Sequence, residues 1–401
     1  MLSTTLSSSS RPQGRGWLVC LMLATFVIGT DDFVVAGVLP AVSADLGVSE
    51  AAAGQLVTVF SLTYALAAPP LAVATARLPR KTLIVGGLSV FALANLATAL
   101  APGYPSLTAL RVVTALVAAA ITPAVFAMAG RVAAPERVGR AMGAVAAGLT
   151  VSLFVGVPAG TLLGAAFGWR SAFTAVALLA LAVAAACARA LPPLPGAPEL
   201  GVRAQLRALG RPAVLVCVAG TVIGAASGLM TYTYIAPVTE ELTGRGGAVL
   251  ALFIAVVGVS GAAGAVAGGR LTDRWGADRT LIAAFAGLFA ATGALALIAL
   301  TGRGGAPVWL VALVLAGWGF AAWGFNPPMN ARALRLAGDA GAEAVALNTS
   351  GLYAGIALAG SLGGAATARY GGTGVTVAAT AVGLAALIVM IASVRRFPSG
   401  G

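Results

Sequence analysis

The sequence predicts an all-α membrane protein, with twelve transmembrane helices in two pseudo-symmetric six-helix bundles. Three observations carry this prediction. Of the 401 residues, 59% are hydrophobic and only 9% charged, with a mean hydropathy of +0.98, whereas soluble domains carry about 25% charge. The apolar residues fall into twelve continuous runs of about 20, the length at which a helix crosses a bilayer; a membrane barrel would instead alternate over about 10 residues. Finally, a basic loop after the second run has a counterpart after the eighth, the mark of a duplicated half.

The predicted spans are 17–39, 51–75, 82–100, 107–130, 139–165, 170–190, 212–236, 247–270, 279–301, 307–330, 343–366 and 373–394, divided by Pro, Gly and charged residues. The domain plan is a tail at 1–16, a bundle at 17–190, a linker at 191–211, a second bundle at 212–394 and a tail at 395–401. The Ser-rich start with Arg11 and Arg15 imitates a signal peptide, but the following apolar run is too long and lacks a small-residue cleavage site, so it reads as a retained first span. The linker is Pro-rich and basic, and its second half suits a short amphipathic surface helix.

An even number of spans puts both termini on one side. If that side is cytoplasmic, nineteen of the 24 basic residues fall in cytoplasmic segments; Arg170, Arg245, Arg303 and Arg369 fall outside and Arg111 lies within a span. This bias predicts a multi-pass cell-membrane protein with both termini cytoplasmic. The net charge of +12 therefore belongs to span ends, not to a nucleic-acid face. There is no histidine, which excludes imidazole metal sites and Ser-His-Asp chemistry. Cys20, Cys187 and Cys217 all fall in apolar runs and read as small apolar filler.

Span 1 carries the feature of greatest chemical interest: Asp31 and Asp32, side by side in an apolar helix. A carboxylate at mid-bilayer costs roughly 2.5–3.5 kcal/mol on insertion scales and marks ion or substrate pathways. Adjacent helical residues point about 100° apart, so the two carboxylates face different partners. The aspartates fall in the outer part of span 1 and Arg111 near the outer end of span 4, at similar depth, so one aspartate is expected beside Arg111 while the other faces a cavity. Together these three are the candidate proton-coupling group. A structural ion pair is the plainer reading.

Other spans supply polar or aromatic groups for a cavity wall: Gln55, Thr58 and Tyr64 in span 2, Phe126 in span 4, Tyr232 and Tyr234 in span 7, and Asn348 and Tyr353 in span 11. Tyr232 and Tyr234 point about 200° apart, and Gln55 and Tyr64 lie on opposite faces of their helix. Span 10 reads WGFAAWGFNPPMN, in which Pro327-Pro328 after Asn326 must kink or end the helix; Trp318 and Trp323 offer either a binding wall or a lipid-facing belt. Span 5 carries Gly156, Gly160 and Gly164 at four-residue spacing, with Pro158, and span 8 carries Gly264 and Gly268, both close-packing patterns.

The loop after span 8 reads GRLTDRWGADR, with Gly269, Asp273, Arg274 and Gly276 spaced G-x-x-x-D-R-x-G. In AVATARLPRK, after span 2, Arg77 matches Arg274 and Pro79 matches Gly276, while Ala72 and Ala76 replace the glycine and the aspartate. In these motifs and over its twelve spans the chain resembles the major facilitator superfamily. The span 5 stretch GLTVSLFVGVPAGTLLGAAFGWRSAF is similar to the Gly/Pro motif of drug/proton antiporters, with Val157-Pro158 where Gly-Pro is usual, and GTDDFVVAGVLP resembles the first span of twelve-span exporters such as arabinose-efflux-like permeases and chloramphenicol exporters. The resemblance implies a major facilitator fold and a proton-coupled exporter working by alternating access. It also implies that Arg111 is the family's span 4 arginine and Asp32 its acidic position. Spans 5 and 8 would meet between the halves. Arg77, Arg80, Lys81, Gly269, Asp273, Arg274, Gly276 and Arg279 would gate or fold the loops, with Asp273 and Arg274 carrying more of the latch because Ala76 replaces the first-half aspartate.

The expected partners are a small organic substrate, protons and lipid, with no nucleic acid, in a monomer. No cofactor beyond the proton gradient is expected, and no Walker-type phosphate loop is present in the sequence. The chain is not read as an enzyme. An importer or facilitator of sugars or nucleosides is the alternative of the same fold; a receptor has little support.

Overall fold

The computed structural model describes residues 16–134, 137–196, 211–302, 304–338 and 341–399. Span 1 is Gly16–Leu46, span 2 Glu50–Ala74, span 3 Arg80–Ala99 and span 4 Tyr104–Val132. Span 5 is composite: Val138–Val151, a π-helical turn Ser152–Gly156, then Val157–Phe167. Span 6 is Trp169–Ala190 and span 7 Pro212–Thr233, followed by a short helix Ile235–Thr243. Spans 8 and 9 are Ala248–Trp275 and Ala277–Gly302. Span 10 breaks into Val308–Gly324 and Asn326–Ala337. Spans 11 and 12 form one helical run, Gly341–Arg396, bent at Gly371. The amphipathic helix expected in the linker, and most of the first tail, lie outside the described residues.

Large apolar side chains point outward along the bundle, among them Leu66, Leu93, Leu100, Phe167, Leu297 and Leu313. A water-facing surface does not carry contiguous apolar area on this scale; a lipid-facing one does. Exposed Trp275, Trp309 and Tyr370 lie at helix ends, where amphipathic rings sit at the headgroup level.

The duplication is visible in detail. Span 5 turns into span 6 at Gly168 (φ 84°, ψ 154°), and span 11 turns into span 12 at Gly371 (φ 62°, ψ −153°). Both are conformations that glycine alone adopts readily. In each half a carboxylate ties the end of the first helix to the start of the sixth. Asp45 accepts hydrogen bonds from Trp169 Nε1 and Arg170, and Glu241 accepts them from the backbone N–H groups of Gly372 and Thr373. The repeat fails at one predicted point. Gly276, between spans 8 and 9, has φ 80°, while its counterpart Pro79 sits at φ −55° because its ring forbids a positive value.

Among the described residues the halves share an apolar core toward one face. One apolar core runs from the second half into Val34, Val38, Leu56, Leu107 and Trp169 of the first. A separate core fills the rest of the first half, and Tyr353 of span 11 packs on it. The joined face is that of the 47–49 turn; the opposite face carries the 75–79 loop. Cys20, Cys187 and Cys217 are buried and free.

Candidate functional site

Span 1 runs on past its expected end through Pro40 to Leu46. This corrects the placement of Asp31 and Asp32: they sit at the middle of a 31-residue helix rather than toward its outer end. Both carboxylates are buried, at 0% and 3% exposure, and they part company as the helical geometry requires. Asp31 turns into the first half, where its Oδ2 pairs with Arg111 Nη1 at 2.9 Å. Arg111 is itself fully buried and lies over the Phe60 ring, 4.3 Å from its centroid, and the Asn95 amide of span 3 stands beside Asp31. Asp32 turns toward the second half, and its Oδ2 accepts a hydrogen bond of 3.2 Å from the Tyr353 hydroxyl. The Tyr353 ring stacks on Tyr64 of span 2 with centroids 3.8 Å apart.

Above this pair, toward the 47–49 turn, the halves are shut. Gln55 Nε2 donates to the Gly360 carbonyl at 3.1 Å, and Tyr234, at the break after span 7, donates to the same carbonyl at 2.8 Å. Small residues make the approach possible: Gly54 and Gly363 leave room for the Tyr234 ring, and Gly360 lies against Thr58. Gln55, Thr58 and Tyr234 therefore lie in the contact between the halves on this face. Gln55 and Tyr64, although nine residues apart on span 2, both meet span 11, at Gly360 and at Tyr353 respectively.

Tyr232 belongs to a different group. With Phe33 of span 1 and Trp318 and Trp323 of span 10 it forms an aromatic cluster across the halves. Trp318 is fully buried and Trp323 partly so, which rules out a lipid-facing belt for both; Phe320 is the ring that faces outward. Asn326 begins the second piece of span 10, with prolines in its first turn as the sequence requires. It accepts from Asn330 at 3.1 Å, which in turn accepts from Asn348 at 2.9 Å, and Thr221 donates to Asn348. Phe126 packs, half-buried, against the first-half core.

The glycine stripes serve ordinary helix packing within each half. Gly156, Gly160 and Gly164 face Thr30, Val34 and Val38 of span 1, within the first half, and Gly264 and Gly268 face the backbone of Phe320 and Gly324 in span 10. Spans 5 and 8 do meet between the halves, but at the π turn, where Gly258 lies against the backbone of Leu153 and Phe154. Pro158 accounts for that turn: it has no N–H for the carbonyl of Phe154 and its ring crowds it, so the ladder skips a residue.

At the loops, Asp273, Arg274 and Arg77 are exposed, and Asp273 and Arg274 form no ion pair among the described residues. Gly269 has open space around it. The Arg80 backbone N–H holds the linker through Leu194. The ion pair at the second loop is instead Asp278 with Arg332. Arg332, one of the nineteen basic residues counted in cytoplasmic segments, is fully buried and also donates to Ser393 and to the Phe397 carbonyl. Sequence reasoning missed it, along with Phe33, Phe60 and Asn95. Of these, Asn95 alone carried a signal, as an amide inside an apolar run.

The sequence matches the Major Facilitator Superfamily profile over residues 21–343. It is 30% identical to the Inner membrane transport protein YdhP of Escherichia coli, covering 95% of this chain and 96% of that one. The chain belongs to the Major Facilitator Superfamily. It is also 33% identical to the Chloramphenicol resistance protein of Streptomyces lividans, over 63% of this chain and 66% of the relative. The match to the MFS-type transporter YbcL of Bacillus subtilis, at 31% identity, spans 62% of this chain and 64% of that relative. Among solved structures, the D-xylose-proton symporter superposes with a TM-score of 0.76 at 15% identity, covering 94% of this chain and 96% of that one. The inward-facing, unoccupied bacterial homolog of the human lysosomal transporter Spinster does so with 0.73 at 18%, covering 96% of each. The chain is thus a multi-pass membrane transporter, and its fold and family are not those of enzymes. In this major facilitator protein the Asp31–Arg111 pair stands inside one half and the Asp32–Tyr353 contact bridges the two.

Proposed function

We propose that the protein is a proton-coupled exporter of small organic molecules, working by alternating access, with both termini in the cytoplasm. The basic residues at the 75–79 loop face support that orientation. The observation that carries the reading is the Asp32 carboxylate, buried at the middle of span 1 and bonded to a residue of the opposite half. The relatives named for chloramphenicol resistance and efflux support an aromatic, amphipathic cargo.

The geometry suggests how coupling would operate. An ionised Asp32 makes a charge-assisted bond to Tyr353, the stronger kind, and holds the empty carrier shut on the outer face. Protonation removes the charge and weakens that bond. A substrate that displaces the Tyr353 hydroxyl does the same by competition. An empty, deprotonated carrier then does not cycle, so protons and cargo move in exchange. Asp31, already neutralised by Arg111, keeps that charge in place while its neighbour titrates. Protons and the cargo are the partners required; the gradient takes the place of a cofactor.

The test is efflux of preloaded chloramphenicol, a purine analogue and a cationic dye from cells lacking other exporters, with wild type and Asp32→Asn at equal expression. Loss of efflux in Asp32→Asn and on adding a protonophore is expected. Efflux that survives the protonophore identifies a facilitator, the alternative of the same fold, and overturns the coupled reading.

A further inference from the structure

We infer that a cleft on the lipid-facing side of the second half binds one anionic phospholipid, with an acyl chain between spans 8, 9 and 10 and its phosphate against Arg274 and Arg279. The cleft is a cavity of about 210 Å³ formed by those three spans alone, apart from the contact between the halves. Gly264, Gly268 and Leu271 of span 8 form one wall, Ala283 and Gly287 of span 9 a second, and Gly317 and Phe320 of span 10 the third. Glycine shapes it. Spans 8 and 10 touch backbone to backbone, Gly264 against Phe320 and Gly268 against Gly324, while a Cβ at Gly317 would meet open space. Phe320 is 42% exposed and Ala283 is exposed, so the cavity opens toward lipid.

The wall and the mouth specify the guest. Thr280 supplies the one polar side chain in the lining, and its hydroxyl donates to the Gly276 carbonyl at 2.9 Å. Water needs two to four polar partners, so this wall suits hydrocarbon. Toward the 276 turn the walls change character. Residues three and four apart on a helix are neighbours, so Arg274 continues the Leu271 face and Arg279 the Ala283 face, each one turn nearer the membrane surface. Both arginines are exposed, and neither forms an ion pair or hydrogen bond among the described residues. Asp278 does not neutralise them, because it is taken by Arg332 and Ser399. Asp273 alone faces Arg270, Arg274 and Arg279 at this turn. Exposed Trp275, also on the Leu271 face, marks the headgroup level. Two free guanidinium groups at the mouth of an apolar slot match a phosphodiester joined to an acyl chain.

The test needs no gradient and no cargo, so it is independent of the export reading. Full-length protein, delipidated in detergent, is mixed with phosphatidylglycerol and phosphatidylcholine of identical chains. Retained lipid is counted by native mass spectrometry, and the melting temperature is read in parallel. Wild type should retain one phosphatidylglycerol in preference to phosphatidylcholine and melt higher with it. Glycerol 3-phosphate, which offers the phosphate without chains, should do neither. The double variant Arg274→Gln with Arg279→Gln should cut the preference at least about fivefold, since one arginine beside an anionic headgroup is worth about that factor. Gly317→Leu directs its side chain into the open space and should abolish retention of either lipid at this site. Its melting temperature in detergent alone should hold or rise, because leucine is the better helix former. Equal retention of the two lipids by wild type, stabilisation by glycerol 3-phosphate alone, an unchanged preference in the double variant, or wild-type retention by Gly317→Leu each overturns the proposal.

Discussion

Asp31 and Asp32 are neighbours in sequence and equal in chemistry, yet they belong to different parts of the machine. Asp31 is bonded within one half, to Arg111, in a pocket floored by Phe60. Asp32 reaches across to Tyr353. One residue of helical rotation separates a contact made within one half from one made between the halves; in the proposed alternating-access cycle only the second must break. A buried pair inside a rigid body is structural, whereas a buried carboxylate between rigid bodies can report its charge as a movement.

The difference can be broken from either side. The largest effect is expected at Asp32. Asp32→Asn should reduce gradient-driven efflux to the level of cells without the protein while its melting temperature stays within a few degrees of wild type. Next is Arg111→Ala, which strands a buried carboxylate and should cost about 3–5 kcal/mol, read as a fall in thermal stability in detergent. The double variant Asp31→Asn with Arg111→Gln should recover most of that loss, because a buried pair replaced on both sides is often close to neutral.

The same contrast applies to two glycines. Gly156 faces Thr30 inside the first half, and Gly258 faces Leu153 and Phe154 across the halves. Gly258→Leu should slow the initial transport rate, with an overpacking cost of about 1–3 kcal/mol confined to the closed state. Gly156→Leu should lower folding stability and yield instead. The smallest effect is expected for Tyr353→Phe. Loss of one charge-assisted hydrogen bond, about 1.5 kcal/mol for one 3.2 Å long, should shift the closed face toward open about tenfold. It should be seen as proton leak into vesicles without substrate and as faster labelling of a cysteine placed at Gln55.

The fold was largely legible because span length and charge bias are one-dimensional properties. The helix breaks at Pro327-Pro328 and at Gly371 could be read from the residue types alone, since neither backbone suits a continuing helix. The split of Asp31 from Asp32 followed from the helical period. Their partners did not follow: Tyr353 is far along the chain, and nothing local marks it over Tyr232 or Tyr234. The glycine stripe of span 5 shows the limit most clearly. Its spacing announced a close approach, but spacing carries no information about which helix approaches, and the helix that does is span 1. Arg332 is the reverse case. An arginine at a span end is explained by the positive-inside bias, so its burial against Asp278 and the chain's end left no trace in the sequence.

By itself the sequence determined that this chain crosses a membrane many times, is built from a repeated half, and buries two carboxylates and an arginine where charge is costly. Hydropathy, turn chemistry and helical period are local, and they settle what each segment is. Tertiary structure decided which carboxylate stays with Arg111 and which bridges the halves. It also decided that Tyr234 and Gln55 bond to span 11 across the halves, and that Phe33, Tyr232, Trp318 and Trp323 come together in one aromatic cluster. Those choices depend on which helix faces meet, and that is fixed only when the bundles pack.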